Sequence, residues 1–293
     1  MRFVFGTRFY SIRGVSGMCF YPLEMMQALY DTLHIPTEEY IIPQEKNIRQ
    51  LYFNNKYTFL FPEMTSIEKN DIFFTTVNLF TYLLENNPSV LINAKVIYII
   101  NAFKTFEVLK KWFKKNQHAL LLLSKLFSKI FLLSEEGFEN SLLNVRWFHN
   151  EVINIKRGIY TNYWKQHANT RVDSYYVYRR YDIGEMEHSE TWPKAKQWLV
   201  DNHKRYLTGR FSTPEHVCSG FVYLRYVDYM PRLPFEFWFY DKPVILFDIS
   251  DGLKKKVTTQ DLPLRQPFVL NKSHFPKWNL DALIKHMGHM GVL

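Results

Sequence analysis

The chain has few cysteines and lacks the short motifs that identify several common enzyme classes. Its 293 residues include 2 cysteines, Cys19 and Cys218, which are too few for a disulfide framework or a cysteine-based zinc site. The sequence contains no Gly-x-Ser-x-Gly, Cys-x-x-Cys or His-Glu-x-x-His pattern, and no Asp-x-Asp metal motif. These absences exclude the common serine hydrolases and zinc enzymes, and nothing in the sequence demands a divalent metal.

Long hydrophobic runs are also missing. The most apolar stretch, residues 119–133, is interrupted by Lys125 and Lys129 and is too short to span a bilayer. The first fifteen residues have no apolar segment of the kind found in secretory signals. We therefore expect a cytoplasmic protein without a transmembrane segment, in a reducing environment that suits its two isolated cysteines.

The charge balance points to an anionic partner. The chain has 37 Lys and Arg against 28 Asp and Glu, a formal net charge of +9, while 47% of its residues are hydrophobic and 17% aromatic. Such a basic protein favours nucleic acid, an anionic membrane surface or a sugar diphosphate. Aromatic rings at the surface would suit stacking on bases or sugars. Composition alone does not choose among these partners.

Strand and helix patterns alternate along the chain, which predicts an α/β fold. Predicted strands include residues 2–5, 57–61 and 95–100, and Ser134-Glu135-Glu136 is predicted to open a helix. The polar, basic segment 150–174 is predicted to be a hinge between two lobes of roughly 150 residues each. The predicted division is residues 1–155, residues 156–275, and a final helix within 276–293 that packs back on the first lobe.

Residues 220–253 have the most informative pattern. A predicted strand at 221–225 leads to a short helix at 234–240, opened by prolines, and then to a buried strand at 243–247. Arg225, Arg232 and Glu236 fall in the loop and at the start of this helix. A carboxylate that accepts ribose hydroxyls and guanidinium groups that clamp a pyrophosphate are what a sugar nucleotide requires.

This stretch resembles the nucleotide-binding half of GT-B glycosyltransferases. The matching residues are Arg232, Glu236 one turn later, the apolar helix, and Lys242-Pro243-Val244-Ile245. The resemblance is strongest to phage DNA glucosyltransferases, which modify hydroxymethylated bases. It covers the last third of the chain well and the first half only in element order. It lacks the second glutamate of many retaining members, since Pro243 stands in that region. The implied fold is two Rossmann-like lobes of GT-B type with an interlobe cleft.

The resemblance implies a hexosyltransferase that moves a sugar from a nucleotide-sugar co-substrate, UDP-glucose, to a hydroxymethylated base in double-stranded phage DNA. It would work in the host cytoplasm without a tightly bound cofactor. Glu236 would hold the ribose, arginines would neutralise the diphosphate, and a glycine-punctuated loop would approach the donor. The predicted donor-binding residues are Glu236, Arg232, Arg225, Arg179, Arg180, Gly17 and Ser16.

A transferase must also deprotonate or polarise its acceptor hydroxyl. Acidic residues and histidines at strand ends of the first lobe are candidates, because ligands of α/β sheets collect at the carboxyl ends of the strands. Glu63 and Asp71 are predicted to be catalytic, and Glu63 is preferred because it follows the predicted strand 57–61. Glu135 and His149 are the other candidates.

Basic residues interleaved with aromatic rings predict contacts with DNA phosphates, and an enzyme acting on a duplex base must flip it out. The predicted DNA-binding residues are Lys110, Lys111, Lys114, Lys115, Arg146, Lys156 and Arg157. Three alternatives remain open. The lysines can be an ordinary solvated face, the protein can be a non-enzymatic basic α/β module that binds DNA or a protein, or the enzyme can have a lipid or polysaccharide acceptor.

Overall fold

The computed structural model describes most of the chain, and the described residues form two compact units. The described residues are 1–9, 17–100, 129–135, 152–167, 172–177, 191–208, 213–224, 232–247 and 267–293. The first unit comprises Met1–Asn54, Phe59–Tyr163 and Lys277–Leu293, and the second comprises Asn55–Thr58 and Trp164–Pro276. A short early segment, Asn55–Thr58, thus belongs with the later half of the chain.

The first unit is built on a parallel sheet. Its strands are β1 Phe3–Gly6, β2 Thr37–Tyr40, β3 Glu63–Met64, β4 Ile72–Thr76, β5 Val96–Ile100, β6 Ile130–Glu135 and β7 Val152–Ile155. The seven strands lie in the order β3-β2-β1-β4-β5-β6-β7, and every pair is parallel. The strand order reverses between β1 and β4, which is where doubly wound sheets bind ligands. The predicted α/β class is confirmed.

The described residues of the first hundred include four helices that connect these strands: α1 Gly17–Leu33, α2 Lys46–Phe53, α3 Val77–Asn86 and α4 Pro88–Asn93, with a 3₁₀ turn at Pro43–Glu45. The start of α3 is capped by the Thr76 hydroxyl, which accepts a hydrogen bond from the Leu79 amide. Its Leu79 packs with Val4, Phe73 and Ile97 in the core. Every residue of β4 and β5 is buried, as expected for strands covered on both faces.

The second unit has its own sheet. Its strands are β8 Val172–Val177, β9 Tyr206–Thr208, β10 Cys218–Tyr223, β11 Val244–Leu246 and β12 Pro267–Phe268, and its helices are α5 Thr191–Asp201, α6 Pro214–Val217 and α7 Arg232–Phe239. The order is β12-β11-β10-β8-β9, with β12 antiparallel and all other pairs parallel. Here the strand order reverses between β8 and β10.

Helix α7 is the element of the second unit that positions the site described below. It connects β10 to the neighbouring parallel strand β11 and therefore begins at the carboxyl edge of the sheet. Phe235, Phe237, Trp238 and Phe239 are all buried, and the Phe237 ring stacks on Phe221 of β10 with centroids 4.9 Å apart. A helix buried on nearly every side must also bury its polar residues, Arg232 and Glu236.

The chain ends with a helix in the first unit, α8 Asp281–His289. It packs against β7, and its His286 Nδ1 lies 3.1 Å from the Tyr98 hydroxyl of β5. The residues before it pair with the chain after β7, because Lys156 and Asn279 exchange two backbone hydrogen bonds. Within the described ranges, no helix combines the length and the apolar character needed to cross a bilayer.

Two local predictions are wrong. Residues 57–61 are not a strand, since Tyr57 forms only an isolated bridge with Trp164, and Glu63 lies in β3. Ser134 and Glu135 belong to β6 rather than to a helix start. The predicted hinge, residues 150–174, contains β7, which pairs with β6, and the first unit gives way to the second within the same range, between Tyr163 and Trp164.

Two glycines test the packing. A Cβ at Gly220 of β10 would lie 2.4 Å from Cε1 of the buried Tyr175 ring, whereas a Cβ at Gly288 of α8 would meet no heavy atom within 4 Å. We expect Gly220→Ala to lower the free energy of unfolding by about 1–3 kcal/mol. Gly288→Ala should raise it by about 0.5–1 kcal/mol, because alanine is the better helix former. Urea unfolding of both variants measures this, and equal midpoints would contradict the described contact.

Candidate functional site

Arg232 and Glu236 lie together on one face of α7. Arg232 is the first residue of the helix and Glu236 follows one turn later, so their side chains meet. The Arg232 Nε donates to Glu236 Oε1 at 2.6 Å, and both residues are buried. Arg232 and Glu236, which the sequence analysis singled out, therefore form a buried ion pair in the first turns of a helix that begins at the carboxyl edge of the sheet.

The Asn55–Thr58 segment supplies the partners of this pair. The Lys56 ammonium lies 3.1 Å from Glu236 Oε1 and 3.1 Å from Glu215 Oε1 of α6. The next residue, Tyr57, accepts a hydrogen bond from Arg232 Nη2 at 3.0 Å. The segment is held in place by its backbone, since the Lys165 amide donates to the Lys56 carbonyl at 2.9 Å. One lysine thus bridges two buried carboxylates that are distant in sequence.

The network continues to the other end of α7. His216 Nε2 lies 2.9 Å from the Tyr240 hydroxyl, and the buried Lys242 ammonium donates to the carbonyls of Glu215 and Cys218 at 2.5 and 2.6 Å. Burial lowers the pKa of Lys242. Burial, together with the charges of Lys56 and Lys242, lowers the pKa of His216 to about 4. His216 is therefore neutral at physiological pH.

The two carboxylates compete for the single Lys56 charge. Burial opposes ionisation of both, but Glu236 has Arg232 as well as Lys56, and these two cations lower its pKa. Burial raises the pKa of Glu215 to about 7. The negative charge of Glu236 also raises this pKa, whereas the positive charge of Lys56 lowers it. Lys56 is also desolvated, yet the attraction of the two carboxylates raises its pKa. Near pH 7 the group of Lys56, Arg232, Glu236 and Glu215 therefore contains two cations, ionised Glu236, and Glu215 close to its titration point.

A small pocket lies within this network. It is lined by Lys56, Trp164, Glu215, Arg232, Glu236 and Tyr240, and its cavity volume of about 10 Å³ is room for about one water molecule. The Arg232 guanidinium carbon is 5.0 Å from the centre of the Trp164 ring, a distance that favours cation–π attraction. Carboxylates suited to hydroxyl groups and cations suited to phosphate thus line one pocket, which is smaller than the typical pocket of about 300–1,000 Å³ for a drug-sized ligand.

The two predicted catalytic residues lie in the first unit and have ionic partners. Glu63 binds Arg49 Nη1 at 3.0 Å and Lys46 Nζ at 2.7 Å. Partial burial opposes its charge, but the Lys46 hydrogen bond and the two cations outweigh burial and lower its pKa. Asp71 immediately precedes β4, at the amino end of the strand. It accepts hydrogen bonds from Arg2 Nε at 3.0 Å and Nη2 at 3.1 Å.

The remaining predicted residues are divided between described and undescribed parts of the chain. Gly17 begins α1. Lys156 is exposed, and the Arg157 guanidinium lies 5.5 Å from the centre of the Tyr21 ring. Glu135 belongs to β6. The others lie outside the described residues: Ser16, Arg179, Arg180, Arg225, Lys110, Lys111, Lys114, Lys115, Arg146 and His149.

Sequence reasoning missed most of the network around Arg232 and Glu236. Tyr57 fell in the predicted strand 57–61 and Lys56 just before it, and Glu215 follows Pro214 at a helix start, where a glutamate is ordinarily a surface residue. Trp164 and Tyr240 carried no distinguishing pattern. The only available signal was the mutual spacing of Arg232 and Glu236, because burial of a lysine by partners about 160–180 residues away leaves no local trace.

No protein-family model matches the chain, and no curated protein matches it significantly. Across the described ranges, no group of three or more histidine, cysteine, aspartate or glutamate residues has an arrangement that could hold a metal ion. The geometry of the Lys56–Glu215–Glu236–Arg232 network is therefore the main basis for a functional proposal.

The raised pKa of Glu215 predicts a pH-dependent stability. In the folded protein the pKa of Glu215 is about 7, whereas the ordinary pKa of a glutamate is 4.5. Its stabilising contribution is therefore complete below pH 4.5 and is lost as pH rises through about 7. We expect the free energy of unfolding of the wild type, relative to Glu215→Gln, to fall by about 2 kcal/mol between pH 5 and pH 8.

Urea unfolding at several pH values measures this difference. The comparison cancels the contributions of His216 and of the buried Glu39, whose pKa is also about 7, because both groups are present in each protein. Glu68→Gln is the matched control, since the Glu68 side chain is 73% exposed. Parallel pH profiles for the wild type and Glu215→Gln would show that Glu215 does not titrate in this range.

Proposed function

We propose that the protein is a glycosyltransferase that transfers a sugar from a nucleotide-sugar donor to a hydroxymethylated base in DNA. The donor is a uridine diphosphate sugar, with glucose as the expected sugar. The donor site is on the second unit, at the start of α7. The observation that carries the proposal is the buried Arg232–Glu236 pair in a parallel α/β unit, positioned where the helix begins at the carboxyl edge of the sheet.

The topology of the second unit supports this location. Open α/β sheets bind nucleotides outside the carboxyl ends of the strands that flank the reversal of strand order. In this unit those strands are β8 and β10. Arg179 and Arg180 follow β8 in the sequence, Arg225 follows β10, and Arg232 opens the next helix. All four predicted donor-binding arginines therefore come shortly after the two strands that the rule selects.

The charges of the site suit the two polar parts of a sugar nucleotide. Glu236 is ionised and accepts hydrogen bonds, as the ribose hydroxyls require. Arg232 offers a planar set of donors that matches a phosphate. In the reaction the acceptor hydroxyl attacks the anomeric carbon, the bond from that carbon to the phosphate oxygen breaks, and the nucleoside diphosphate leaves with the bonding electrons. Arg232 and the neighbouring arginines stabilise the negative charge that develops on this leaving group.

The proton of the acceptor hydroxyl needs a base, for which Glu63 is the proposed residue. Its lowered pKa keeps it ionised at neutral pH, as a base must be, although Lys46 and Arg49 reduce its proton affinity. We assign Asp71 no role in the proton transfer, because it is buried beneath Arg2 at the amino end of β4. Ligands of such sheets collect at the opposite edge.

The donor site is tested by Glu236→Gln. We expect this change to weaken binding of uridine diphosphate and its glucose conjugate by about 10- to 100-fold, because a charged hydrogen-bond acceptor of the ribose is lost. Isothermal titration calorimetry measures the affinity, after circular dichroism has shown that the variant is folded. The matched control is Asp241→Asn, which removes a 73%-exposed carboxylate just beyond the same helix.

Binding of a nucleotide by the wild type, lost in Glu236→Gln and kept in Asp241→Asn, supports the proposal. A wild type that binds no uridine or guanosine nucleotide but does bind plain DNA would contradict it. That result would favour the alternative of a non-enzymatic basic module, since the net charge of +9 is sufficient for DNA binding without catalysis.

The acceptor is tested by labelled glucose transfer and by the salt dependence of DNA binding. We expect transfer to duplexes that contain hydroxymethylcytosine and none to unmodified duplexes.

Lys156→Gln should weaken DNA binding equally for all sequences, because one phosphate contact is lost. It should also reduce by about 1 the slope of the logarithm of the binding constant against the logarithm of the salt concentration. The control is Lys69→Gln, which removes another exposed charge of the first unit. Transfer to a lipid or polysaccharide instead of DNA would overturn this acceptor assignment.

A further inference from the structure

We propose that Lys56 and Tyr57 are affinity-determining residues that occupy the donor site in competition with the nucleotide sugar. This inference rests on the proposed function, because it concerns the same Arg232 and Glu236. The Asn55–Thr58 segment presents a cation to the carboxylate and a hydroxyl to the guanidinium. Donor binding then requires these two side chains to leave their partners.

The contacts of the segment resemble those that a ligand would make. Glu236 Oε1, the proposed ribose acceptor, receives hydrogen bonds from Lys56 Nζ at 3.1 Å and from Arg232 Nε at 2.6 Å. Arg232 Nη2, a proposed phosphate donor, is directed to the Tyr57 hydroxyl at 3.0 Å. Both groups that the donor requires therefore have partners within the protein already, and both partners come from adjacent residues of one segment.

The size of the pocket leads to the same conclusion. Its cavity volume of about 10 Å³ is far below the range of about 300–1,000 Å³ that is typical of ligand sites. A nucleotide sugar does not fit beside Lys56 and Tyr57 as they are placed. Because Lys56 is one of the six lining residues and Tyr57 bonds to a second, their withdrawal both enlarges the pocket and frees its polar groups.

Charge also favours exchange over simultaneous binding. Ionised Glu236 already pairs with both Lys56 and Arg232, so a diphosphate added to the closed site would compete with this carboxylate for the two cations. Release of Glu236 from Lys56 lets the carboxylate turn to a hydroxyl group. Lys56 keeps Glu215 as a partner, at 3.1 Å, so that its withdrawal from Glu236 does not leave the ammonium without a counter-charge.

The consequence is an apparent donor affinity lower than the intrinsic affinity of the open site. When only a fraction of molecules has an open site, the apparent dissociation constant is the intrinsic constant divided by that fraction. A residue that closes the site therefore weakens binding, whereas a residue that positions the donor strengthens it. Substitution of Lys56 or Tyr57 therefore distinguishes these two roles: donor affinity rises if the residue closes the site and falls if the residue positions the donor.

The main test is the charge-balanced double variant Lys56→Met with Glu215→Gln, assayed by calorimetry with uridine diphosphate glucose. It removes one cation and one carboxylate together, because Lys56→Met alone would leave two buried carboxylates without their shared partner and endanger folding. We expect about tenfold tighter binding than in the wild type, which corresponds to an open fraction of about one tenth. The control for loss of a lysine in the same unit is Lys272→Met, whose side chain is 43% exposed.

A milder variant keeps the test valid if the double variant does not fold. Tyr57→Phe removes only the hydroxyl that accepts from Arg232 and retains the ring, and we expect it to tighten donor binding severalfold. Weaker binding in either folded variant would overturn the inference and make Lys56 or Tyr57 a positioning residue. Absence of nucleotide binding in the wild type and in all variants would instead refute the proposed function on which the inference depends.

Amine footprinting of the wild type gives an independent readout. The Lys56 side chain is 10% exposed, so we expect slow acetylation of its amine without ligand and faster acetylation when uridine diphosphate glucose saturates the protein. The exposed Lys272 provides the reference rate. Stronger protection of Lys56 by the ligand would show that the donor covers this lysine rather than displaces it, and would overturn the inference.

Discussion

The interaction on which the second unit depends is the Lys56 ammonium held between two buried carboxylates. Removing charges from water is costly, and only close partners and complete hydrogen bonding offset that cost. Glu215 belongs to α6, Glu236 to α7 and Lys56 to the Asn55–Thr58 segment, so one charge connects three pieces of chain. The requirement to bury these groups together explains why a short early segment belongs to a unit formed by much later residues.

A buried ion pair is not by itself a sign of a ligand site. The first unit also contains one, in which Arg49 Nη2 lies 2.6 Å from the fully buried Glu39, and that pair holds α2 against β2. What distinguishes the network around Lys56 is its place in the topology and the pocket that it lines. Its Arg232 lies at the start of the helix between β10 and β11, and the strand order reverses beside β10. The proposed function rests on this combination of charge and position.

The elements that local patterns could predict were those whose burial is continuous. Strands β4 and β5 are buried throughout because both faces are covered, and helices α1 and α3 have apolar residues at helical spacing. Prediction failed where a partner strand decided the outcome. β7 is a four-residue strand, Val-Ile-Asn-Ile, in a segment whose surrounding polar residues concealed it, and it pairs with β6, whereas Ser134 resembles a helix cap although it belongs to β6. In both places tertiary hydrogen bonds overrode local preference.

The sequence by itself determined the α/β class and the juxtaposition of Arg232 with Glu236. Both follow from short-range rules, the alternation of strand and helix patterns and the four-residue spacing that brings side chains together on a helix. Only the tertiary structure decided that Lys56, Tyr57 and Glu215 join that pair, and that Glu215 rather than Glu236 titrates near neutral pH. The reason is physical: desolvation and the sharing of one ammonium by two carboxylates depend on distances between residues far apart in the chain, which no local pattern encodes.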